Sequence, residues 1–296
     1  MIRKHGGRSK PPFKDSEKAL RGRESADGGR RSTDAPGRSS VESTEPRAPR
    51  GLRNPRAALI YGFHSVLAAL KAPRRELIRL YATVAAGERL SADIAARGVE
   101  KRILTPEEIS ARAPRGAVHQ GLLLEARPLA PIDISDLPAE GLLLVLDQIT
   151  DPHNVGAILR TGAAFGVDAL VTTERHSPEF SGALAKSASG GLEHLPICNV
   201  PNLSRALAEM GDIGYWRIGL AAEAPVRLVD APLSRPLALV LGAEGKGLRR
   251  LTREHCDVLA RLDLPGPIKS LNVSNACAIA LALVHERSLA QNQNRG

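Results

Sequence analysis

Residues 142–166 read LLLVLDQITDPHNVGAILRTGAAFG. Leu142 to Leu146 form an unbroken apolar run. A strand with one wet face would alternate, so this run suits a parallel strand covered on both sides. Asp151-Pro152-His153-Asn154 follows as a turn, with Asn154 able to cap a helix over 155–165. Gly156, Ala157, Gly162, Ala163 and Ala164 permit close backbone approach along that helix. The same unit recurs downstream. Strands are expected at 142–147, 168–172, 196–200, 215–220, 237–241 and 258–264. Helices are expected at 155–165, 180–189, 202–211, 247–254 and 272–289. The alternation predicts an α/β domain with a parallel sheet and a helix as its last element.

Upstream, the run from Ala57 reads as strand, turn at Tyr61-Gly62, then helix. Strands at 77–83, 101–104 and 121–127 and a helix at 91–97 complete a smaller α/β unit. Thr105-Pro106-Glu107-Glu108 has the form of a helix start. The segment from Leu129 carries Pro131 and Pro138 and reads as a linker. The expected organisation is therefore a basic arm over 1–56, a small domain over 57–128, a linker over 129–140 and a larger domain over 141–296.

The 296 residues carry a net charge of +9, and that charge is unevenly placed. Residues 1–56 hold 15 basic and 7 acidic side chains; the rest of the chain is nearly neutral. Gly, Ser, Pro and Arg dominate the arm, which predicts disorder. A basic arm serves nucleic acid or an anionic surface, or else only solubility. Aromatics make up 3% of the chain, too few for an extended base-stacking platform. Three cysteines without C-x-x-C spacing argue against a disulfide framework and for the reducing cytoplasm. The histidines show no metal-ligand spacing, so no metal is expected. No run approaches the roughly 20 apolar residues of a membrane helix, so no membrane partner is expected. The start has no apolar run of a secretory signal, and its acids argue against a transit peptide.

Three segments follow strands of the larger domain, where open α/β sheets bind ligands. The first holds Asn154 and Arg160; alone, it reads more readily as a capped core helix with a surface arginine. The second, LVLGAEGKGL at 239–248, is neither a P-loop nor a G-x-G-x-x-G turn. The third, LDLPGPIKSLNVSNACAIA at 262–280, places Lys269, Ser270 and Asn272 between a strand and an apolar helix, more polar groups than capping needs. Ser270 or Asn272 can cap that helix.

Together, and in this order, the segments resemble the three motifs of the SpoU (TrmH) family of RNA ribose 2′-O-methyltransferases, in the SPOUT superfamily. YGFHSVLAAL at 61–70 and VHQGLLL at 118–124 resemble the ends of that family's substrate-binding domain. LTREHCD at 251–257 is most similar to the subgroup that methylates a guanosine of 23S ribosomal RNA. The resemblance implies a trefoil-knotted C-terminal domain, S-adenosylmethionine as cofactor and a homodimer that completes the active site. It implies cofactor contacts at Leu241, Gly242, Gly245, Leu262, Leu264 and Leu271. It implies Arg160 as the group that orients or activates the ribose, because a guanidinium is too weak an acid to serve as a base at neutral pH. Asn154 would position the cofactor or ribose, Glu244 would orient Arg160 or the substrate, and Ser270 and Asn272 would shape the pocket. His119 and Gln120 are candidate RNA contacts, with a structural turn as the alternative. Transfer RNA as substrate, or a non-catalytic role in ribosome assembly, are the alternatives to 23S RNA methylation.

Overall fold

A computed structural model describes residues 57–293; the expected basic arm lies outside the described residues. The first sheet is built from β1 (Ala58–Tyr61), β2 (Leu77–Ala82), β3 (Lys101–Ile103) and β4 (Leu122–Ala126), in the order β1-β4-β2-β3. β4 runs antiparallel to both neighbours, and β3 pairs parallel with β2. Four helices connect these strands: α1 (Phe63–Lys71), α2 (Val84–Arg89), α3 (Ser91–Arg97) and α4 (Pro106–Arg112). Thr105 caps α4 reciprocally. Its hydroxyl accepts from Glu108 N while the Glu108 carboxylate accepts from Thr105 N.

The second sheet contains β5 (Leu142–Asp147), β6 (Ala169–Thr173), β7 (Ile197–Val200), β8 (Trp216–Leu220), β9 (Val226–Arg227), β10 (Leu237–Gly242) and β11 (Val258–Arg261). Its order is β7-β6-β5-β10-β8-β11-β9, and every pair is parallel. The helices are α5 (Pro152–Ala164), α6 (Gly182–Ala188), α7 (Gly191–His194), α8 (Leu203–Asp212), α9 (Arg250–Glu254) and α10 (Val273–Gln293). β5 and β10 are buried on both faces, as their unbroken apolar runs require. The chain leaves β5 toward one edge and later inserts β10 on the other side of β5. That reversal puts a topological switch point between the carboxyl ends of β5 and β10.

Three expectations are corrected. The helix placed at 247–254 begins only at Arg250, because residues 242–249 form a tight loop closed by Gly247 N donating to Ala243 O at 2.8 Å. The strand placed at 258–264 stops at Arg261, where its pairing with β9 ends. The cap of α5 is Asp151, not Asn154: Asp151 accepts from His153 N at 2.9 Å and Pro152 opens the helix.

Residues 129–140 are packed. Ile132 N donates to Ile197 O along the free edge of β7, Leu137 is buried, and the Tyr215 hydroxyl donates to Pro138 O. The two sheets also share one apolar cluster, in which Ile60, Val66 and Leu70 join Leu184, Ala188 and Leu192. Across this contact Arg75 meets Glu193 through two hydrogen bonds, of 2.6 and 2.9 Å, with side chains 1% and 3% exposed. Arg75 also donates to Arg127 O, and Ser65 donates to Ala185 O. Removing one partner strands the other charge in an apolar setting. Glu193→Ala should therefore lower stability by about 3–5 kcal/mol in urea denaturation. The volume-conserving pair Arg75→Met with Glu193→Leu should lose much less; an equal or larger loss would contradict this account.

Candidate functional site

The loops after β5, β10 and β11 converge at the switch point. Glu244 sits on the β10 loop, and its Oε1 accepts three hydrogen bonds. Asn154 Nδ2 donates at 3.0 Å, Asn272 Nδ2 at 2.7 Å and Val273 N at 3.3 Å. Asn272 Nδ2 also donates to Asn154 Oδ1 at 2.9 Å. Asn272 Oδ1 in turn accepts from Ser274 N, which caps the start of α10. Three residues separated by 90 and 28 positions thus form one closed cluster.

The β10 loop that carries Glu244 is fixed at both ends by Asp147, the last residue of β5. Asp147 is the register partner of Gly242, and its carboxylate is wholly buried. It accepts from Arg249 N at 2.9 Å and from Arg249 Nε at 2.6 Å. Within the loop, a Cβ on Gly242 would lie 2.3 Å from the Gly247 carbonyl carbon, so only glycine allows this closure.

Beside the cluster lies a cleft of about 370 Å³. All six expected cofactor contacts, Leu241, Gly242, Gly245, Leu262, Leu264 and Leu271, line it, as do Glu244 and Ser270. Asn154 and Asn272 stand behind Glu244 rather than in the lining. The cleft is further walled by Leu220–Glu223, Arg253 and Lys269. The 220–223 loop was missed in the sequence because it belongs to none of the three motifs; only its place after a strand could have signalled it. Arg253 donates to Glu223 and holds that carboxyl below its ordinary range. Lys269 Nζ donates to Leu264 O at 2.8 Å and so stiffens the third loop.

Arg160 stands apart. It is exposed on α5, and no hydrogen bond or ion pair engages it among the described residues. Glu244 does not contact it within the chain: the bonding oxygen of Glu244 is taken by the two asparagines and Val273. His119 and Gln120 both belong to a turn. Gly121 N donates to His119 Nδ1 at 3.1 Å, and His119 Nε2 lies 3.0 Å from the Ser110 hydroxyl. Gln120 has φ 54° and its Oε1 accepts from Phe63 N at 2.9 Å. Cys256 and Cys277 are held un-ionised, burial pushing each thiol up to about 12. No cluster of metal-ligating side chains occurs among the described residues.

Residues 141–282 match the SpoU rRNA methylase family, and residues 59–132 match the RNA 2′-O ribose methyltransferase substrate-binding domain. A 23S rRNA (guanosine-2′-O-)-methyltransferase RlmB of Yersinia pestis is 36% identical over 242 residues, covering 78% of this chain and 98% of its own. The chain belongs to the SpoU rRNA methylase family. The RlmB of Ralstonia nicotianae is 39% identical over 243 residues, covering 79% of this chain and 98% of its own. A TrmH-family protein from Porphyromonas gingivalis superposes with a TM-score of 0.66 at 26% identity, over 78% of this chain and 90% of its own. An AdoMet-bound rRNA methyltransferase from Sinorhizobium meliloti shares the fold, with a TM-score of 0.67 at 22% identity over 78% and 88% of the two chains.

Because Asp147 holds both ends of the β10 loop, Asp147→Ala should cost about 1–3 kcal/mol by leaving Arg249 N unpaired. Asp147→Asn, which keeps an acceptor, should cost less. Thermal denaturation of both variants checks this; equal stability of Asp147→Ala and the native chain would contradict it.

Proposed function

We propose that this chain transfers the methyl group of S-adenosylmethionine to a ribose 2′-hydroxyl of RNA, on a guanosine of 23S ribosomal RNA. The observation that carries the reading is the convergence of all three family motifs on one cleft, joined through Glu244. Family membership and the names of the relatives support the same substrate.

The cleft suits the cofactor. Leu241, Leu262, Leu264 and Leu271 offer apolar walls for an adenine, and the glycine-rich β10 loop brings backbone groups close. The bound cofactor supplies an electrophilic methyl group. The chain must then hold a poor nucleophile in line and manage its proton. Glu244 Oε2 and the Ser270 hydroxyl have no protein partner among the described residues, so both can bond a ribose or the cofactor. Asn154 and Asn272 keep Glu244 in place. Arg160 orients the ribose or its phosphate by charge-assisted hydrogen bonds.

Since Arg160 lies off the cluster of its own chain, we read the active form as a homodimer in which a second copy completes the site. Exposed Ile279 and Leu289 on α10 support such a pairing. Membership of the SpoU family supports a trefoil knot in the C-terminal half. Residues 57–128 serve as the RNA-binding domain and 141–296 as the methyltransferase domain, joined by a linker over 129–140 that is packed along the edge of β7. The basic charge of residues 1–56 adds salt-sensitive affinity, and the enzyme works in the cytoplasm.

Incubation with methyl-labelled S-adenosylmethionine and unmodified 23S RNA should yield a 2′-O-methylguanosine at one site. Arg160→Ala should keep cofactor affinity and lose at least about 100-fold in turnover. No transfer to 23S RNA would overturn the reading, and normal turnover of the variant would overturn the role of Arg160.

A further inference from the structure

A continuous line of contacts leads from the Asn154–Glu244–Asn272 cluster into the first domain. His153, next to Asn154, lies with Nδ1 3.1 Å from the Ser187 hydroxyl on α6. Lys186, the neighbour of Ser187, donates from Nζ to Val118 O at 3.0 Å in the first domain. The Lys186 stem also flanks Gly62: a Cβ there would lie 3.8 Å from Lys186 Cγ. Phe63 follows, and the Arg89 guanidinium lies over its ring at 4.1 Å. His64 meets the same ring edge-on at 5.6 Å and is exposed.

These groups share one chemistry. An ammonium has three donors, and the structure uses one on Lys186. His153 is exposed with Nε2 free, and Arg89 is exposed. Acids adjoin the line too: Glu244 at its start, Glu88 beside Arg89, and Asp151, whose carboxylate already accepts from His153 N. The cations suit phosphates along the line. At its end, an aromatic ring, an imidazole and a guanidinium stand together, the group types on which unpaired bases stack. The two ends cannot drift apart, because the buried Arg75–Glu193 pair and a shared apolar cluster join the domains.

We infer that the surface from His153 along Lys186 to Phe63, His64 and Arg89 is the path of a single RNA strand flanking the target nucleotide, with one base stacked at the Phe63–Arg89 end. This path rests on the activity proposed above and names where the substrate strand lies. It assigns RNA contact to residues other than His119 and Gln120, whose polar atoms hold a turn.

The test is binding of the full-length protein to labelled single-stranded and duplex RNA by fluorescence anisotropy, across a range of salt. Arg89→Ala and Lys186→Ala should each weaken single-strand binding, Arg89→Ala by about 5-fold or more through lost stacking. Each lost cation that pairs with a phosphate should flatten the salt slope by about 0.7. Cofactor affinity should not change, and Arg205→Ala, on α8 and bonded among the described residues only to Asn202 and Glu209, should leave RNA binding intact. His64→Ala, at an exposed position, serves where another variant folds poorly. Unchanged binding in all three path variants overturns the inference, as does an equal loss on duplex RNA or in Arg205→Ala. Methyl transfer by the native chain is measured in parallel: transfer with unchanged variant binding removes only the path. Absence of transfer removes only the activity, since the binding measurement still decides the path.

Discussion

One carboxylate oxygen, Glu244 Oε1, ties the loops after β5, β10 and β11 together. Each loop leaves a strand end exposed to solvent, and nothing in the strands themselves fixes where it goes. The dependence runs in order. Buried Asp147 closes the β10 loop through Gly242 and Arg249. The closed loop presents Glu244, and Glu244 collects Asn154 and Asn272. Asn272 then starts α10 by capping Ser274 N. A charged acceptor makes hydrogen bonds roughly twice as strong as a neutral one, which suits a post on which three segments hang.

The second constraint is the contact between the two sheets. A buried ion pair is a poor source of stability but tolerates no change of partner or register. Arg75 and Glu193 therefore act as a lock on orientation, while the shared apolar cluster supplies the attraction. With the body of the chain almost neutral, bulk charge there does not select RNA. Selection falls to a few placed cations and to the fixed spacing of the two domains.

Much of this was legible in the sequence. LLLVL and LALVL gave parallel, doubly covered strands, and the polar residues after them pointed to the cleft, whose six expected cofactor contacts line one cavity. What was not legible depends on contacts distant along the chain. Glu193 lies 118 positions from Arg75, and no local pattern pairs them. Asn154 looked like a helix cap because its type fits; Asp151 takes that place, which frees the Asn154 side chain for Glu244. The 129–140 segment is rich in proline like a linker, yet its backbone completes the edge of β7. The separation of Arg160 from the cluster was in principle readable: six residues along a helix turn the side chain by about 240°.

The account turns on Glu244, so cofactor affinity in its variants tests it most directly. Titration calorimetry with S-adenosylmethionine should show Glu244→Ala weakening binding by at least about 10-fold, since three hydrogen bonds worth about 1 kcal/mol or more each are lost. Glu244→Gln, whose amide oxygen still accepts, should recover most of that affinity. Native affinity in Glu244→Ala would contradict the claim that this carboxylate holds the three loops in place.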